Sequence, residues 1–173
     1  MVGSGPTAEE LERIFAIAAR TPDHGKLHPW RFVVVGHEQR DAFGALLRQA
    51  LAEEDPCATI AHHEKEDAFA RQGGALIVLI SAPTEGHKIP VWEQQLSSGA
   101  AGMNLLHAAH ALGFAASWVT RWYAFDAEAA AMLGAGEGER IVGFVQIGTP
   151  TAAIEDRPRP DLAEIVSRWS DHN

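Results

Sequence analysis

The sequence predicts a mixed β-sheet with helices packed around it. Three observations carry that prediction. Apolar runs of strand length alternate with segments of helical period along most of the chain. Residues 75–80 (ALIVLI) are continuously apolar, so that strand is buried on both faces. Residues 91–112 form a long helix, apolar nearly all round and full of small residues, which suits a central position with close backbone neighbours. At 173 residues, 46% hydrophobic and 21% charged, the chain suits a single domain over residues 1–173. A chain of that size buries roughly 70% of its unfolded surface.

The elements follow in order. Thr7-Ala8-Glu9-Glu10 is a capping box, with Thr7 at N-cap and Glu10 three positions on. Leu11, Ile14, Phe15 and Ala18 then recur at helical spacing, and the helix ends before Pro22. Residues 31–35 (RFVVV), between Pro29 and Gly36, predict a strand. Residues 38–53 predict an amphipathic helix with Phe43, Leu46, Leu47, Ala50 and Leu51 inward. Residues 56–72 carry a weaker helical pattern that stops at Gly73-Gly74. After the 75–80 strand and the 91–112 helix, Gly113 is the natural C′ residue. A strand over 114–120, a short helix over 126–133 capped by Asp126, and a strand over 141–148 follow. Pro158 and Pro160 precede a last helix over 162–169. The apolar girth of the 91–112 helix exceeds what one subunit can cover, which predicts a homodimer that buries it.

Lys+Arg 14 against Asp+Glu 23 gives a net charge of −9, which disfavours nucleic acid and anionic membrane as partners. No apolar run approaches the roughly 20 residues of a membrane span. The first six residues lack the basic and apolar regions of a signal peptide, and Cys57 is the single cysteine. A reducing, cytoplasmic location is the expectation. Nine histidines invite a metal reading, but adjacent His62 and His63 point apart on a helix. His107 and His110 lack an acidic partner and any HExxH pattern, so no metal site is expected. Ser97, Ala101, Asn104 and His107 share a stripe that reads first as a polar seam at a helix crossing. Glycine-rich dinucleotide, Walker and GxSxG signatures are absent, so an enzyme here would take its hard chemistry from a cofactor.

The informative cluster runs from Arg20 to Phe32 (RTPDHGKLHPWRF). It has two readings: a cradle of cations and N–H groups for a flat anionic ligand, or a solvated turn with Trp30 as a core plug. At this point the chain resembles the nitroreductase family of flavoproteins. Residues 21–32 are similar to that family's segment ending Q-P-W-x-F. Residues 98–118 (SGAAGMNLLHAAHALGFAASW) resemble its central helix and following strand. Residues 141–150 (IVGFVQIGTP) resemble its last core strand. The similarity is greatest to the small YdjA-type subgroup, through R-x-P-D-H…P-W over residues 20–30 and H-K-x-P-x-W-E-Q over residues 87–94.

The resemblance implies an α+β, nitroreductase-like fold and an intertwined homodimer with FMN at its interface. It implies a ping-pong reaction in which NAD(P)H reduces the flavin and a nitroaromatic, quinone or similar acceptor then takes the electrons. It places Arg20, His24 and Lys26 at flavin-contacting positions, and Trp118, Val119 and Thr120 in the stretch that meets FMN after the central helix. No side chain in the sequence looks tuned as a general base or nucleophile, so no catalytic residue is assigned. The subgroup has an arginine where this chain has Val119, and the family's N-terminal Arg-Arg-Ser or Arg-Ser phosphate grip has no counterpart in the six residues before the capping box. Either the native start is longer, or Arg121, Arg157 or Arg159 takes the phosphate. Alternative expectations are a dimeric flavin- or ligand-binding protein with impaired or no turnover, and an enzyme of the same fold acting on flavin itself or on another cofactor.

Overall fold

The structure is a computed structural model that describes residues 5–152 and 156–169. Helix α1 (Ala8–Ala18) opens on the expected capping box: the Glu10 amide donates to Thr7 Oγ1 at 3.3 Å, and the Thr7 amide donates to Glu10 Oε2 at 2.8 Å. Strand β1 (Trp30–Val35) begins one residue early, at the buried Trp30. A 3-10 turn (His37–Gln39) leads into α2 (Arg40–Glu54), and α3 (Ile60–Arg71) follows. Then come β2 (Ala75–Ser81), α4 (Val91–Ala111), β3 (Ala115–Val119), α5 (Ala127–Met132) and β4 (Arg140–Gly148).

The four strands lie in the order β1-β2-β4-β3, and every neighbouring pair is antiparallel. The expected mixed sheet is therefore corrected, among the described residues, to an antiparallel one; the α+β class stands. The reason lies in the connections. Two successive helices, α2 and α3, separate β1 from β2 and reverse the chain once more than a single crossover does. The single helix α4 does return β3 in the direction of β2, as strand–helix alternation suggests. Strand β4 then enters between those two and pairs antiparallel with both.

Strand β2 is buried at all seven positions, as its continuous apolar run requires. Leu76, Val78 and Ile80 face a core with Phe43, Leu47, Phe69, Tyr123 and Phe144, under α2, α3 and α5. Ile77 faces Ile14, Leu105, Ala109, Val145 and Ile147, under α1 and α4. Each face thus has its own helical layer.

Helix α4 runs for 21 residues, about 30 Å. It lies close to the sheet at Gly102, where a Cβ would stand 2.7 Å from both Leu79 and Trp118. Its far side carries Trp92, Leu96 and Met103, exposed to 67%, 53% and 44%. The last helix is shorter than expected. Helix α6 covers Leu162–Ile165 alone, and Leu162, Ile165, Val166 and Trp169 are all exposed. So short a helix is marginal without a surface to bury its apolar side.

Candidate functional site

Two stretches of chain pack separately against α4: the loop between α1 and β1, and the end of β3. The loop is built around Asp23, whose carboxylate accepts from the amides of Leu27 (3.2 Å) and His28 (2.8 Å). That double acceptance folds the chain tightly enough that Lys26 and His28 take positive φ values of 56° and 51°. Helix α4 pins the loop from below. Asn104 Nδ2 donates to Thr21 Oγ1 at 2.7 Å, Ser97 Oγ to the Pro22 carbonyl at 2.6 Å, and Ser98 Oγ to the Pro29 carbonyl at 2.7 Å. The polar stripe on this helix is a packing seam at Ser97 and Asn104, while His107 is exposed. His24 Nδ1 lies 2.8 Å from Glu93 Oε2. Both line an apolar hollow of about 340 Å³ with Pro22, Leu96, Ser97 and Ala100. Arg20 and Lys26 are exposed on the same loop.

At the end of β3, side chains alternate across the sheet. The Trp118 indole lies between Gly102 of α4 and Gly143 of β4, where any Cβ would strike the ring. Trp118 and Thr120 line a second hollow of about 600 Å³ with Met103, Leu106, Arg157 and Arg159. Arg159 also pairs with Asp156 at 2.8 Å. Val119 points the other way and packs on the core under α2 and α3. Arg121 follows it to that face. Its guanidinium donates to the buried Glu66 Oε1 at 2.5 Å and sits 5.1 Å from the Phe69 ring centroid and 5.7 Å from that of Tyr123. The structure therefore brings Trp118 and Thr120 together with Arg157 and Arg159. It does not bring Val119 or Arg121 there, because strand alternation aims them through the sheet.

Burial raises the Tyr123 phenol far above its ordinary range, and Arg121 opposes that shift only in part. Among the described residues no group of three or more His, Cys, Asp or Glu side chains converges as a metal site would require. No described helix is long and apolar enough to cross a membrane.

The sequence profile of the Nitroreductase family matches residues 4–149. The chain belongs to the nitroreductase family. It is 35% identical over 153 residues to a Haemophilus influenzae protein named "Putative NAD(P)H nitroreductase", covering 86% of this chain and 80% of that one. It is 34% identical over 151 residues to Escherichia coli K12 "Putative NAD(P)H nitroreductase YdjA", covering 84% and 78%. In three dimensions it resembles the nitroreductase-like family protein from Bacillus cereus, with a TM-score of 0.80 at 19% identity over 98% of this chain and 88% of that one. It also resembles a Bacteroides fragilis nitroreductase with bound FMN, with a TM-score of 0.68 at 18% identity over 98% and 93%. These structural likenesses establish the nitroreductase-like fold.

Three acidic residues that pair with the predicted site residues or shape their loop, Asp23, Glu93 and Glu66, are not among the sequence-predicted site residues. Asp23 had a signal, since an Asp within a Pro/Gly-bearing loop commonly accepts from amides ahead of it. Glu93 lies in the H-K-x-P-x-W-E-Q stretch, but its partner His24 is 69 residues away, beyond the reach of any local pattern. Glu66 had no signal, because a charged residue in an Ala-, His- and Glu-rich helix reads as solvated.

Proposed function

We propose that this chain is an FMN-dependent oxidoreductase that takes hydride equivalents from NAD(P)H and passes them to a nitroaromatic, quinone or similar acceptor. The observation that carries this reading is the hollow at the end of β3. Arg157 and Arg159 line it together with Thr120, Trp118 and the apolar Met103 and Leu106. Guanidiniums and a hydroxyl suit a phosphate monoester, and the aromatic and apolar wall suits a ring system. The residues present fit FMN, and they supply cations without any contribution from Arg121. Relatives named NAD(P)H nitroreductases and neighbours crystallised with FMN support the same cofactor.

FMN, when bound, supplies two-electron hydride acceptance and donation. The chain's own residues do the rest by binding and orienting. Arg157 and Arg159 hold a phosphate, with Asp156 keeping Arg159 in place. Arg20, His24 and Lys26 offer positive or hydrogen-bonding groups from a loop that Asp23, Ser97 and Asn104 hold rigid. We assign no catalytic side chain; the rate comes from positioning. Donor and acceptor use one opening in turn, so the kinetics are ping-pong.

The assembly is a homodimer. Trp92, Leu96 and Met103 on α4, and Leu162, Ile165, Val166 and Trp169 beyond β4, are large apolar side chains left exposed, the kind of surface that a partner covers. A second copy of the chain, intertwined through the tail, covers both. The chain acts as one domain in the cytoplasm. The decisive experiment is spectroscopic. The purified protein is expected to bind FMN with a visible flavin band that bleaches anaerobically on addition of NADH or NADPH. Double-reciprocal plots at several acceptor concentrations are expected to be parallel. Intersecting lines would demand separate donor and acceptor pockets. A chain that binds FMN without bleaching would instead be a flavin-binding protein without turnover, and one that binds none would overturn the cofactor reading.

A further inference from the structure

We propose that Arg121 is a positioning residue: its ion pair with Glu66 on one face of the sheet holds the end of β3 so that Trp118 and Thr120 present to the phosphate hollow on the other. The proposal rests on the FMN reading for its ligand, but its structural basis is separate.

Glu66 is 4% exposed in the middle of α3, and Arg121 is the partner of its Oε1 atom. The guanidinium sits over the neighbouring rings of Phe69 and Tyr123. This is a poor arrangement for stability. Glu66 Oε2 and the Tyr123 hydroxyl are both buried without a hydrogen bond of good geometry, although the Glu66 carboxylate lies close enough to help raise the phenol. Glu66 is buried and Arg121 half-buried, so the desolvation of the carboxylate offsets much of the attraction within the pair. What it does provide is a fixed direction. Arg121 is the residue after Thr120, which lines the hollow, and Val119 is anchored in the same core as the ion pair. Residues 119 and 121 are therefore held on one face while 118 and 120 are presented on the other. Among the described residues, strand β3 is the edge of the sheet with β4 as its single neighbour, so no second strand there fixes its end. The Glu66–Arg121 pair takes that role.

Two variants test this, with FMN titrated into purified apoprotein. Glu66→Gln leaves Arg121 in place and removes the buried charge that orients it. Positioning by the pair expects FMN to bind about tenfold more weakly. Equal or tighter binding, the result if Arg121 freed from Glu66 itself reached the phosphate, overturns the proposal. Glu66→Leu combined with Arg121→Met replaces the pair by apolar groups, a change that often leaves stability equal or improved. The expected result is a melting temperature no lower than that of the parent together with weaker FMN binding. Parent-like affinity in the double variant overturns the proposal. If the parent chain binds no FMN, the cofactor reading fails, and hydrogen exchange of the amides of residues 117–121 decides. Faster exchange there in the double variant, at unchanged global stability, supports positioning, and unchanged exchange overturns it.

Discussion

At the scale of single residues, the hollow at the end of β3 depends on two glycines as much as on its arginines. A Cβ at Gly143 would strike the Trp118 indole and approach the Val119 carbonyl oxygen to 3.0 Å. Gly143→Ala is expected to displace the indole and cost about 1–3 kcal/mol, an overpacking penalty read from urea unfolding. FMN binding is expected to weaken with it. Arg157→Ala and Arg159→Ala each remove a charge-assisted donor. Each is expected to weaken FMN affinity about ten- to a hundredfold while leaving the urea midpoint unchanged, because both residues are exposed. Arg20→Ala separates the two hollows. If the α1–β1 loop contacts the cofactor, the variant loses flavin or shifts its potential; unaltered flavin content and potential would remove Arg20 from the site.

At the scale of elements, β1 is tied to the turn before β4 by one strap. Arg31 pairs with Glu139 and donates to the Gly134 carbonyl at 2.8 Å. The guanidinium of Arg31, and then the Gly136 amide, hold the Glu139 carboxyl below its ordinary value of 4.5. The folded chain therefore binds that proton less readily than the unfolded chain. The stabilising contribution is present above the ordinary carboxylate range and is lost as pH falls through the lowered folded value. The urea midpoint of the parent is expected to drop more steeply between neutral and acid pH than that of Glu139→Gln, and superimposable pH profiles would exclude the strap. Much of this level was legible in the sequence. The capping box at Thr7, the apolar run of β2 and the small-residue character of α4 each leave a local pattern, and each element forms where that pattern lies. Sheet order was not legible, because nothing local in residues 140–148 says that this strand enters between β2 and β3. The placement of the candidate residues was legible only in part. The alternation of residues 118–121 says which side chains share a face, and Arg157 and Arg159 are candidate cations, yet nothing local says that these two, far along the chain, fold back beside Thr120 rather than beside Arg121.

At the scale of the whole molecule, the proposed dimer makes its own prediction. Leu96 is exposed on α4 and lines the hollow beside His24. Leu96→Asp is expected to convert a dimer into a monomer in sedimentation experiments and to lose bound flavin with it. A parent chain that stays monomeric at micromolar concentration would refute the assembly, since obligate interfaces bury more than about 2,000 Å². The late entry of β4 between β2 and β3 also governs how the chain is made. While the ribosome is still short of residue 140, β2 has β1 on one side and nothing on the other. Its seven residues, all buried in the finished protein, then form an apolar strand with an open edge, the configuration most prone to pair with another nascent chain. A chain arrested before Arg140 is thus not a smaller version of the protein but an aggregation-prone fragment, and synthesis through Gly148 is the step that closes the sheet.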